Sequence, residues 1–212
     1  TIYDCGNITQ PGTYTLNQSI SAAGTCLQIQ ADNVTIEGGG FTITGDGTGY
    51  GINASVSGAG ADAHTNITVQ NLTLAGFTVD VSAVGGSSTG DAGAGGNLTI
   101  YNSAIPVVEC SGGRGDIDTE GHGNGGTAGK VNVFTSNIIS LNAIGGSGGV
   151  QESGGNGGAA TITNSNIINV TTRGAQSEGS FSGSGGNGGA VTLINSVINN
   201  IIASGGTAHG GP

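Results

Sequence analysis

The sequence predicts an all-β fold, a right-handed parallel β-helix (β-solenoid) of about six coils, each about 31 residues long with a glycine-rich third side. Three observations predict it. Short apolar–polar–apolar triplets recur at a nearly fixed spacing. Each triplet is followed by a turn residue and a second apolar run. Each repeat then closes in a stretch crowded with glycine.

The triplets are Val34-Thr35-Ile36, Ile67-Thr68-Val69, Leu98-Thr99-Ile100, Val131-Asn132-Val133, Ala160-Thr161-Ile162 and Val191-Thr192-Leu193. Their last residues lie 33, 31, 33, 29 and 31 apart. Alternation at period two is the pattern of a half-buried strand. Two positions on stand Gly38, Asn71, Asn102, Thr135, Asn164 and Asn195, followed in the last four repeats by Ser103, Ser136, Ser165 and Ser196. Stacked Asn71, Asn102, Asn164 and Asn195 are expected to form an amide ladder at this corner, as amides do in cross-β structures. A second strand follows, led by Phe41, Leu74, Ile105, Ile138, Ile167 and Ile198. Equivalent residues of a solenoid stack about 4.8 Å apart, so the apolar positions become continuous inner columns.

The glycines number 46. Glycine and serine at this level suggest disorder in an aperiodic chain, but here they recur with the repeat. A side without Cβ atoms lets backbone pack closely and permits positive φ at bends. Polyproline-II-like packing of the glycine segments is the alternative for the third side. No leucine-rich-repeat consensus and no nine-residue calcium-binding repeat is present.

Nothing marks a domain boundary. Residues 1–32 are expected to form an N-terminal cap with the first strands, and 33–212 the coils, as one domain. The formal charge is −10 and only Arg114, Lys130 and Arg173 are positive. That argues against nucleic acid, which needs clustered Lys or Arg, and against an anionic membrane surface. No apolar run approaches the ~20 residues of a membrane span. A start at Thr1 without any Met fits a processed mature chain, so an extracellular or cell-surface location is expected. Of three cysteines, Cys5 and Cys26 lie close together in the cap and are expected to pair, a link worth ~3 kcal/mol in the chain-entropy model. Two buried free thiols are the alternative. Cys110 is left over. Sequons at Asn7, Asn17, Asn33, Asn53, Asn66, Asn71, Asn97 and Asn169 permit N-glycosylation of a secreted chain, although chance accounts for many of them.

The stretch from Cys5-Gly-Asn-Ile-Thr-Gln-Pro-Gly-Thr-Tyr to Leu16, then Thr25-Cys26-Leu-Gln-Ile through Asn33-Val-Thr-Ile-Glu-Gly-Gly-Gly-Phe-Thr-Ile43, resembles the first coils of secreted right-handed β-helix repeat proteins of the pectate-lyase-like superfamily. The later coils share its pattern only. The resemblance implies the fold and the handedness, which also follows the general bias of parallel crossovers. It does not fix function, because the superfamily holds lyases, hydrolases, phage adhesins and structural proteins. Its hydrolases use paired carboxylates and its lyases calcium with an Arg or Lys. The acids of this chain are scattered, and no catalytic position transfers residue by residue.

Asp116, Asp118 and Glu120 form the one dense acidic cluster. Alternate spacing would put all three on one face, where they could hold Ca²⁺; a solvated acidic loop is the alternative. No other cofactor is implied. Arg114-Gly115-Asp116 matches an integrin tripeptide that recurs by chance. His64, His122 and His209 stand alone and read as exposed loop residues. Outward Thr35, Thr68, Thr99, Thr161 and Thr192 could suggest ice binding, but the neighbouring column is irregular and β-propensity explains the threonines. Tyr101, Phe134 and Ile194 put apolar groups on an outward face, which suggests a contact.

The last repeat shows no polar capping coil, and an uncapped strand edge invites another chain. The expected function is therefore a non-catalytic structural protein, not an enzyme, that self-associates head to tail into a filament. An adhesin or carbohydrate-binding module with glycan ligands is the alternative, and a polysaccharide lyase or hydrolase ranks behind both.

Overall fold

The computed structural model describes residues 1–115, 123–149, 152–177 and 183–207, which form strands and no helix. The chain opens with β1 (Gly6–Ile8), and the first rung holds β2 (Gly12–Thr15), β3 (Ile20–Ser21) and β4 (Leu27–Ile29), the last paired with β1. The second holds β5 (Val34–Glu37), β6 (Thr42–Thr44) and β7 (Tyr50–Asn53), and the third β8 (Ile67–Gln70), β9 (Thr73–Ala75) and β10 (Val79–Ser82). Each later rung has two strands: β11 (Leu98–Tyr101) with β12 (Ala104–Glu109), then β13 (Val131–Phe134) with β14 (Asn137–Asn142). The last four are β15 (Ala160–Thr163), β16 (Asn166–Thr171), β17 (Val191–Ile194) and β18 (Val197–Ile202).

Every strand pairing is parallel, and the chain is a β-solenoid. One face is a seven-stranded sheet in the order β17-β15-β13-β11-β8-β5-β2. Six of its strands contain the six triplets and the seventh, β2, lies in the segment expected to hold the cap and first strands; the solenoid makes about five turns, slightly fewer than the six coils expected. Tyr14, Ile36, Val69, Ile100, Val133, Ile162 and Leu193 fall in one register column. From Ile36 to Ile162 that column is buried. Removing such a side chain from water stabilises by about 1.5–3 kcal/mol.

The second face changes along the axis. Near the N-terminus it is two separate walls, β3-β6-β9 and β1-β4-β7-β10, which join at β12. Ala104 pairs with Thr73 of β9, whereas Val108 and Glu109 pair with Val81 and Ser82 of β10. The cause is local. Turns containing Gly47 (φ 94°), Gly49 (φ 63°) and Gly76 (φ 75°) interrupt the earlier rungs, and Ala104-Ile-Pro-Val-Val-Glu109 contains no glycine.

The glycine-rich side is not a third sheet. In one rung an outgoing segment, 110–115, is matched by a returning one, 123–130. Gly126 and Gly129 donate N–H bonds to the carbonyls of Gly113 and Cys110, while Gly125 and Ala128 donate to Ser153 and Asn156 of the next rung. Donors to each neighbour thus recur every three residues. Burial does too, at Gly123, Gly126 and Gly129. Three is the period of a polyproline-II helix, and two would be that of a strand. The alternative raised by the glycine pattern therefore describes these arms. Interlayer bonds run on through the slab, from Gly126 to Gly113, Gly113 to Gly93 and Gly146 to Gly126. A Cβ placed on Gly126 would overlap the carbonyl oxygen of Gly93. Close approach explains this glycine.

Candidate functional site

The corner after each first strand is the most regular polar feature. Asn71, Asn102, Thr135, Asn164 and Asn195 all have left-handed backbones, with φ of 53°, 45°, 49°, 49° and 47°. Asn tolerates this conformation better than most residues. Its side chains bond along only part of the column: the Asn102 amide donates to Asn71 Oδ1 at 2.8 Å, and Asn71 Nδ2 donates to both oxygens of Glu37. Partial burial would raise the Glu37 pKa, but the Gly39 N–H and the Asn71 and Gln70 amides outweigh it and hold the carboxyl below its usual range. These bonds occupy Glu37 as the head of the ladder.

The continuous ladder belongs to the serines. Ser103, Ser136, Ser165 and Ser196 each donate Oγ–H to the carbonyl two residues before, at 2.7–2.8 Å. Each Oγ also accepts an N–H from the preceding rung, from Leu72, Ser103, Ser136 and Ser165 respectively. The serine column was visible in the sequence, but its role was not, because the bond crosses about 31 residues.

Three of the surface grooves among the described residues follow from this frame. A polar one of about 450 Å³ runs beside the corner past Glu37, Asn71, Asn102 and Asn137. An apolar one of about 490 Å³ follows the outside of β12, β14, β16 and β18, past Pro106, Ile139, Ile168 and Val197. The third, about 430 Å³, lies in the crease where these strands enter the outgoing arms, and is lined by Glu109, Arg114, Arg173 and Gln176. Burial raises the Glu109 carboxyl above its ordinary range, opposed by a bond from Ser111. Beside it, burial first and the Glu109 charge second push the Cys110 thiol up to about 12. Cys110 is fully buried and free, with Sγ 3.3 Å from the Gly129 carbonyl, a position that makes it inert.

Asp80 is the buried acid among the described residues. Burial raises its pKa although Oδ2 accepts the Val107 N–H at 2.8 Å, and Oδ1 has no partner among the described residues. Nothing in the sequence around Val79-Asp80-Val81 distinguishes it from an outward strand residue.

The predicted Cys5–Cys26 disulfide is present. Asp116, Asp118 and Glu120, with His122 and His209, lie outside the described residues, as does Asp116 of the Arg-Gly-Asp match. Among the described residues no three His, Cys, Asp or Glu side chains gather as a metal site. His64 Nδ1 lies 3.3 Å from Asp32 Oδ1. The threonine column extends to Thr13 and is interrupted by Asn132. Beside it the Tyr101 and Phe134 rings pack at 6.1 Å between centroids, and Tyr101 is 49% exposed.

The two axial ends differ. At the first, Ile2 bridges Leu16 from below, and Ile2, Ile8, Leu16 and Ile20 are buried. At the last rung Leu193 is 42% exposed and Ile201 43%, although their equivalents Ile162 and Val170 one rung earlier are fully buried. Comparison with known protein families, curated proteins and solved structures finds no match.

Proposed function

We propose that this protein is a non-catalytic extracellular structural subunit whose rungs stack end to end into a surface filament. The last rung carries this reading. Leu193 and Ile201 occupy inward columns yet are exposed, beside Val197 at 64%. Among the described residues β17 and β18 are the last strands of the two sheets, whereas at the other end Ile2 already bonds to Thr15 of β2. An open edge templates another strand, and a head-to-tail contact that does not close makes a filament. A disulfide suits an oxidising compartment, and no helix is long and apolar enough to cross a membrane. The N-terminal stretch supports kinship with secreted right-handed β-helix proteins. A second reading, an adhesin or glycan-binding module, is favoured by the exposed Tyr101 packed beside Phe134.

Sedimentation velocity and negative-stain microscopy of concentrated protein test the stacking. Filaments or a ladder of sizes are expected, and Ile201→Lys should abolish them while leaving the circular dichroism of the fold unchanged. Monodisperse single particles at every concentration would overturn the stacking.

A further inference from the structure

The eight sequons are sorted by what each Asn side chain does in the fold. Three use the amide nitrogen itself. Asn53 Nδ2 donates to Gln28 Oε1 at 2.9 Å, Asn66 Nδ2 to Asn33 Oδ1 at 3.0 Å, and Asn71 Nδ2 to Glu37. These bonds cross between rungs, where strands are only about 4.8 Å apart. Three more hold a neighbour through the carbonyl: Asn33 accepts from Asn66, Asn97 from the Lys130 N–H, and Asn169 from Asn200. Asn7 and Asn17 alone among the eight carry no side-chain bond within the described residues, and both are exposed. Asn7 lies in register with Gln28 and Asn53 on the outer side of the wall, so its side chain points away from the axis.

We infer that Asn7 and Asn17 are the N-glycan acceptors of this chain, and that Asn53, Asn66 and Asn71 are barred to glycans by the fold. The inference rests on the extracellular part of the reading above. The co-reactant is a sugar chain carried on a lipid diphosphate. Asn Nδ2 attacks the anomeric carbon, the N–C bond forms as the C–O bond to phosphate breaks, the lipid diphosphate leaves, and one amide proton is released. Nδ2 then keeps one hydrogen and carries a bulky sugar. At Asn7 and Asn17 the sugar projects into solvent at the N-terminal rungs. At Asn71 it would wedge apart Glu37 and Asn102, and at Asn53 it would displace Gln28.

The test expresses the full chain behind a signal sequence in a eukaryotic secretory host and isolates the folded fraction by size exclusion. Glycan release in ¹⁸O-water followed by peptide mass spectrometry then reads each site. Folded protein should carry the label at Asn7 and Asn17 and none at Asn53, Asn66 or Asn71. The Asn7→Gln/Asn17→Gln double variant should lose those glycans and keep its melting temperature. Folded protein labelled at Asn71, or unlabelled at both Asn7 and Asn17, overturns the inference. Either outcome leaves the stacking result, read by sedimentation on the same material, to stand or fall by itself.

Discussion

The turns of the early rungs and the stacked arms use glycine for different physical ends. In the early rungs glycine bends the chain: Gly47 at φ 94° lies in a turn where a Cβ would meet nothing within 4 Å. In the arms it permits contact. Gly126 and Gly146 lie outside the left-handed region, but a Cβ on either would overlap a carbonyl of the arm beneath it. The first rung closes through strands and turns, with Cys5–Cys26 tying it to the opening strand β1. The later ones close through two layers of backbone joined by hydrogen bonds. The same residue thus answers one demand that is local and another that exists only once the arms are stacked.

Substitutions can break that contrast. Gly126→Ala carries the largest expected effect, a loss of more than about 3 kcal/mol from overpacking, read as a lowered urea midpoint or loss of folded protein. A loss below about 1 kcal/mol would mean that the arms are loosely packed. Replacing Cys5 and Cys26 by Ala should cost about 3 kcal/mol, seen by thermal melting without reductant. Ser136→Ala removes a buried hydroxyl that both donates to Phe134 and accepts from Ser103, and about 2 kcal/mol is expected from the orphaned partners. Gly47→Ala should cost only about 1–2 kcal/mol, the price of a left-handed backbone without a clash; equality with Gly126→Ala would erase the comparison.

The smallest effect is electrostatic. The folded-state pKa of Asp80 is raised by burial, so the folded chain binds this proton more tightly than the unfolded one. Its contribution is therefore full below the unfolded value of about 3.9 and is lost as pH rises through the folded-state value. Asp80→Asn should flatten the decline in melting temperature upward from pH 4. An unchanged profile would place the pH dependence elsewhere, with Glu109 the next group to replace.

Much of the frame was legible before the structure. The triplet register from Ile36 to Leu193 follows from alternation and spacing alone, because period two and a repeat near 31 leave few ways to bury those side chains. The cysteine pairing rested on proximity in the cap. β2 lies in the segment expected to hold the first strands, although Gly12-Thr-Tyr-Thr15 lacks the aliphatic triplet that marks the other strands of its sheet. The serine ladder and the buried Asp80 were not legible, since each depends on a neighbour a full rung away. The proposed calcium cluster falls outside the described residues.

Composition and periodicity determined that this chain is a stack of parallel rungs with apolar columns inside. Those features depend on which side of each strand is apolar, and a strand carries that information in its own order. Whether the glycines make a third sheet or paired polyproline-II-like layers was decided only by tertiary structure. A glycine carries no side chain to record which face it presents, so its packing is set by the backbone laid against it.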